Sequence, residues 1–81
     1  MTDARLLNRI ERNPDVMLGK PVIKGTRITV EHILELLAKG ESAEDIVAEY
    51  PRLKPADIRA ALAYASAALG TEETHWARVP A

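Results

Sequence analysis

The sequence predicts a mostly α fold: a three-helix, helix-turn-helix bundle preceded by a short β-strand or hairpin arm. Three observations carry this. Beyond Thr29, apolar residues recur at helical spacing in three separate segments. Gly40, Pro51 and Gly70 close those segments in turn. The stretch from Gly19 to Thr29, GKPVIKGTRIT, is instead glycine-punctuated, basic and β-branched. The chain divides accordingly into an N-terminal β arm (1–28), a three-helix bundle (29–70) and a C-terminal tail (71–81), all in one domain.

In the arm, Lys24-Gly25 lies between Val22-Ile23 and Thr26-Arg27-Ile28. This reads as a tight hairpin with Gly25 at the positive-φ position. Strands this short do not stand alone in water. They require a third strand from residues near Ile10, or strands of a second chain. Asn13-Pro14-Asp15 marks a turn before them. Arg27 has two candidate roles, pinning the arm to Glu31 or Glu35, or reaching a phosphate.

The first helix is expected over residues 30–39. Thr29 caps it, Val30, Ile33, Leu34 and Leu37 form its buried stripe, and Gly40 ends it as a left-handed residue. The second is expected over 43–50, with Ser42 and Asp45 as a capping box and Pro51 as its stop. The third is expected over 55–69, started by Pro55. Its inward stripe is Ile58, Ala61, Leu62, Ala65 and Leu69. Seven of its fifteen residues are alanine.

Bulk composition bounds the function. A chain of 81 residues is 47% hydrophobic without a single phenylalanine, so its core is aliphatic. It has no cysteine, which excludes disulfides and thiolate metal sites. It has neither a membrane-length apolar run nor a signal-peptide core, so a cytoplasmic protein without membrane contact is expected. Net charge is -1, but residues 1–28 carry six basic side chains against three acids, and the rest five against nine. That asymmetry fits a basic face for a polyanion or chains held together by opposite charge. It also fits ordinary surface scatter.

Catalytic signatures are missing. Gly19-Lys20 is followed by Pro21 where a phosphate loop needs Ser or Thr. His32 and His75 stand alone, without a second ligand at metal spacing. No metal, no cofactor and no enzymatic activity are expected.

The helix-turn-helix reading offers DNA contacts at Arg52, Lys54 and Arg59 around the start of the third helix, joined by Lys20, Lys24 and Arg27 of the arm. From Ala60 onward that helix is apolar on nearly every side, as expected of a helix buried on two faces. A homodimer is therefore expected, through Leu62, Tyr64 and Leu69 or through the arm at Val22 and Ile28.

The motifs GKPVIKGTRITV and GESAEDIVAEYPRL, followed by an alanine-rich helix, resemble the small bacterial proteins of domain of unknown function family 433. The resemblance spans about residues 10–67. Two positions depart from it: Leu18 stands where a second glycine is common, and Lys54 stands where Ser or Thr caps the third helix. The resemblance implies a homeodomain-like or winged-helix fold. It also implies the antitoxin of a type II toxin–antitoxin pair, binding a PIN-like ribonuclease toxin and operator DNA as an autorepressor. The tail residues Glu72, Glu73 and Trp76 are then expected to bind the toxin, acids against a basic rim and an aromatic as anchor. The alternative is an interaction adaptor whose helix-turn-helix does not bind DNA.

Overall fold

The computed structural model describes residues 4–70. The elements are α1 (Ala4–Leu7), β1 (Ile10–Glu11), a tight turn at Met17–Gly19, β2 (Val22–Ile23), α2 (Val30–Ala38), α3 (Ala43–Glu49) and α4 (Pro55–Leu69). The three helices expected from periodicity are α2, α3 and α4. The short α1 was not expected, because four residues carry too little pattern to announce a helix. Among the described residues, no helix is long and apolar enough to cross a membrane.

The arm supplies its own partner strand near Ile10, in a sheet of two strands among the described residues. β1 pairs antiparallel with β2, Ile10 opposite Ile23 and Glu11 opposite Val22. The hairpin turn forms as expected, with Gly25 at φ 78° and the Thr26 amide bonded to the Ile23 carbonyl at 3.0 Å. Its return leg differs from expectation. Residues 26–28 are not a strand, and only a bridge between Val22 and Thr29 continues the ladder. The Thr26 hydroxyl explains this. It donates to the Ile23 carbonyl at 2.8 Å and accepts the Ile28 amide at 3.0 Å, drawing the leg into a local loop.

The helix ends follow their sequence signals. Thr29 Oγ1 accepts the His32 amide at 2.9 Å and starts α2. Gly40, at φ 101°, ends it. Its amide bonds the Leu37 carbonyl and the Glu41 amide bonds the Leu36 carbonyl, the two bonds of a Schellman cap. Ser42 and Asp45 form the full capping box of α3, each amide bonded to the other's side chain at 3.0 Å. At α4 the departure at Lys54 has a visible consequence. Lysine has no acceptor, so only half of a box forms: Asp57 Oδ2 accepts the Lys54 amide at 2.8 Å.

Val30, Ile33 and Leu36 of α2, Ile46 of α3, Leu53 of the α3–α4 turn, Ile58 and Ala61 of α4, and Ile23 of β2 make the core. Leu34 and Leu37 pack against it from the side. The α4 stripe is rotated from expectation. Asp57, Ile58, Ala60 and Ala61 are buried, whereas Leu62 is 49% and Leu69 63% exposed. Val22 is 1% exposed inside this chain. This corrects its expected place in an interface with a second chain, because Val22 is already enclosed within this one, paired with Glu11 of β1 and bridged to Thr29.

Candidate functional site

Two surfaces stand out on this scaffold, an apolar groove and a basic corner. The groove, about 580 Å³, runs between α2 and the C-terminal half of α4. Leu34 and Ala38 line one wall, Ala65, Ala68 and Leu69 the other, and Pro21 joins them. It exists because the α4 wall is largely alanine. Methyl side chains leave α4 too thin to close against Leu34. The charged residues that line it are Lys20, Glu31 and Glu35, all exposed. A second cavity, about 460 Å³, flanks the same stretch of α4 from the α1 side, where Leu7 and Ile10 face Ala67 and Ala68. Tyr64 and Ala68 touch both. The C-terminal half of α4 is thus an apolar ridge between two hollows.

The basic corner lies where the arm meets the α3–α4 turn. Arg27 and Arg52 line one cavity of about 370 Å³ beside Gly25 and Thr26. Arg27 also lines a neighbouring cavity with Lys20, His32 and Tyr50. There His32 Nε2 lies 3.0 Å from the Tyr50 hydroxyl, with the rings edge to face at 5.8 Å.

The six expected DNA-contact residues are therefore divided. Lys20, Arg27 and Arg52 gather at this corner, and Lys24 sits exposed on the hairpin turn beside it. Lys54 and Arg59 are exposed at the start of α4 and line neither corner cavity. Of the expected interface residues, Leu62 and Leu69 are exposed, Tyr64 and Ile28 are half-buried, and Val22 is enclosed. Glu72, Glu73 and Trp76 lie outside the described residues.

Charge asymmetry along the chain has an internal explanation that sequence reasoning did not reach. Two of the arm's cations pair with acids of the helices. Lys20 Nζ lies 3.0 Å from Glu31 Oε1, and Arg9 Nη1 lies 3.0 Å from Asp57 Oδ1. Arg12 Nε donates to the Gly19 carbonyl at 3.0 Å, bracing the Met17–Gly19 turn. The partner of Glu31 is thus Lys20, not Arg27. Arg27 and Arg52 have no ion-pair partner within 4.0 Å among the described residues. The Arg9–Asp57 contact left one trace in the sequence, an aspartate at the third position of a helix whose cap residue is a lysine.

Among the described residues, no group of three or more His, Cys, Asp or Glu side chains is placed to hold a metal ion.

Comparison with known proteins places this geometry in a family. Residues 10–65 match the family model described as Protein of unknown function (DUF433). The chain is 36% identical over 58 residues to the Sinorhizobium fredii protein y4eO, described as uncharacterized. The match covers 72% of this chain but only 26% of that relative, so the chain spans about a quarter of its length. A crystal structure of a DUF433 member from Anabaena variabilis superposes with a TM-score of 0.74 at 28% identity, covering 93% of this chain and 74% of that one. The GKPVIKGTRITV arm, the Ser42-capped helix and the alanine-rich α4 are thus features of a chain that belongs to the DUF433 family.

Proposed function

We propose that this protein is a non-enzymatic interaction module that serves, as a cytoplasmic homodimer, as the antitoxin of a type II toxin–antitoxin pair. The observation that supports this reading is the apolar ridge of α4. Leu62 and Leu69 are large and exposed, and Leu69 lines the α2–α4 groove, which stands open among the described residues. A second copy covers the α2–α4 face, α4 against α4, where alanines permit close approach of two helices. Area burial of this kind drives association of small chains that enclose little core of their own. The toxin, a PIN-like ribonuclease as the family resemblance implies, engages the tail through Glu72, Glu73 and Trp76.

The test is co-expression with the product of the adjoining reading frame. That product arrests growth alone, cleaves RNA, and is neutralised by this chain. Truncation after Gly70 leaves the dimer and removes neutralisation. A neighbour without ribonuclease toxicity contradicts the antitoxin role, and a truncated chain that still neutralises contradicts the role of the tail.

A second reading, autorepression by binding operator DNA through a homeodomain-like or winged helix-turn-helix, is favoured by one observation. Arg27 and Arg52, neither with an ion-pair partner within 4.0 Å among the described residues, line the same corner cavity. A gel shift with promoter-proximal DNA tests it. Absence of any shift at low salt leaves an interaction adaptor without a DNA role.

A further inference from the structure

In a helix-turn-helix reader, the second helix of the motif supplies the contacts. Here α4 is poorly equipped for that. Asp57, Ile58, Ala60 and Ala61 are buried, and Asp57 is turned inward to Arg9 and the Lys54 amide. The exposed positions that follow Arg59 at helical spacing are Leu62 and Ser66. One cation followed by a leucine and a neutral serine makes a weak site for a polyanion.

The corner is better equipped. We propose that Arg27 and Arg52 form a two-guanidinium clamp for a backbone phosphate of DNA, so that the duplex lies against the hairpin turn and the α3–α4 turn and not along α4. The proposal rests on the autorepressor reading and specifies where that reading's contact is made. Four features support it. First, the two arginines line one cavity, although 25 positions separate them in sequence. Second, neither has a carboxylate partner within 4.0 Å among the described residues, whereas Arg9 and Lys20 do. Third, the planar guanidinium fork matches phosphate oxygens in pairs, which a lysine does not.

Fourth, both stems rise from fixed backbone. The Arg27 loop is held by the Thr26 amide and hydroxyl on the Ile23 carbonyl, by the Ile28 amide on Thr26 Oγ1, and by the Ile23 amide on the Ile28 carbonyl. Arg52 is held between Pro51 and Leu53, whose side chain is 2% exposed and whose amide bonds the Tyr50 carbonyl at 2.9 Å. A clamp built on such turns loses little conformational freedom on binding. Glu11 is the single acid lining the cavity; it is half-buried on β1. Among the described residues the two arginines outweigh it, and the lining is net positive.

The experiment is fluorescence anisotropy of a short labelled DNA duplex against the full chain over a salt series, for wild type, Arg27→Gln, Arg52→Gln and Arg59→Gln. All three positions are exposed, and urea unfolding checks that each variant folds like the wild type. The clamp predicts that Arg27→Gln and Arg52→Gln together lower the slope of log K against log salt by about one, for the single phosphate they share, and that each alone lowers it by part of that. Each weakens binding about tenfold near 0.1 M salt, whatever the duplex sequence. Arg59→Gln keeps the wild-type slope. If the Arg27 and Arg52 variants titrate like the wild type while the wild type binds, the clamp is overturned and the autorepressor reading stands. If the wild type fails to bind at the lowest salt, both fall. Displacement of the duplex by inorganic phosphate at matched ionic strength makes the corner a free-phosphate site and overturns the DNA assignment.

Discussion

Arg9 and Asp57, 48 positions apart, meet at 3.0 Å on a carboxylate whose side chain is 6% exposed. The other oxygen of that carboxylate accepts the Lys54 amide. One side chain thus starts α4 and fastens the N-terminal segment to it. Asp57→Ala removes both functions, and a loss of about 2–3 kcal/mol is expected in urea unfolding. Arg9→Ala leaves Asp57 its amide partner and the positive end of α4. With 40% of the Arg9 side chain exposed, the expected loss is smaller, about 1 kcal/mol. Equal losses for the two variants would show that the cap contributes nothing.

The capping box of α3 predicts a pH dependence. Bonds from the Ser42 amide, and then from its hydroxyl, favour the charged form of Asp45 and lower its pKa below the ordinary value. A carboxyl with a depressed folded-state pKa adds stability above its unfolded value and loses it as pH falls through the folded one. The acid limb of the stability curve is therefore expected to flatten in Asp45→Asn. Carboxyl NMR titration should place the Asp45 midpoint below that of an unbonded aspartate, and a midpoint at the ordinary value would contradict the box.

Left-handed backbone makes a third prediction. Leu18 has φ 59° and is 93% exposed, and its neighbours Met17 and Gly19 are also at positive φ. A leucine there is strained by about 1–2 kcal/mol and buries nothing in return. Leu18→Gly relieves that strain, partly offset by the greater freedom of glycine in the unfolded chain. A net gain of about 0.5 kcal/mol is expected from the urea midpoint. Gly40→Ala does the reverse at φ 101°, costing about 1 kcal/mol although the space for a methyl is open. A neutral Gly40→Ala would show that the Schellman cap is not holding the end of α2.

Much of the fold was legible because local signals agreed. Thr29, Ser42 and Pro55 mark starts, and Gly40 marks a stop, each by a preference that acts within one turn of chain. The left-handed backbone at Leu18 was not read from the sequence, although the family likeness marks that position as commonly glycine. The rotation of α4 was not legible. With seven alanines in its fifteen residues, the apolar pattern does not define one face, and neighbouring elements choose which side is buried. The return leg of the hairpin was misread because strand propensity at residues 26–28 competes with a threonine hydroxyl that satisfies the same backbone groups locally. Of the candidate site, the apolar character of α4 was readable but not the groove, whose second wall comes from α2. The corner was readable only as separate cations, Arg27 and Arg52 among them, and not as one cavity lined by both, because that depends on how the arm folds onto the α3–α4 turn.

The α2–α4 face as a surface for a second copy is the claim on which the functional reading turns, and sedimentation equilibrium tests it most directly. At micromolar concentration the wild type is expected to sediment as two chains. Leu69→Glu, at the exposed end of the groove, is expected to sediment as one chain with unchanged helical circular dichroism, because Leu69 contributes nothing to the enclosed core. Ala38→Glu, exposed on the opposite wall, gives the same separation, and Arg59→Glu leaves the dimer intact. A wild-type protein that remains a folded monomer at tens of micromolar, with Leu62, Leu69 and the groove open to water, contradicts the account.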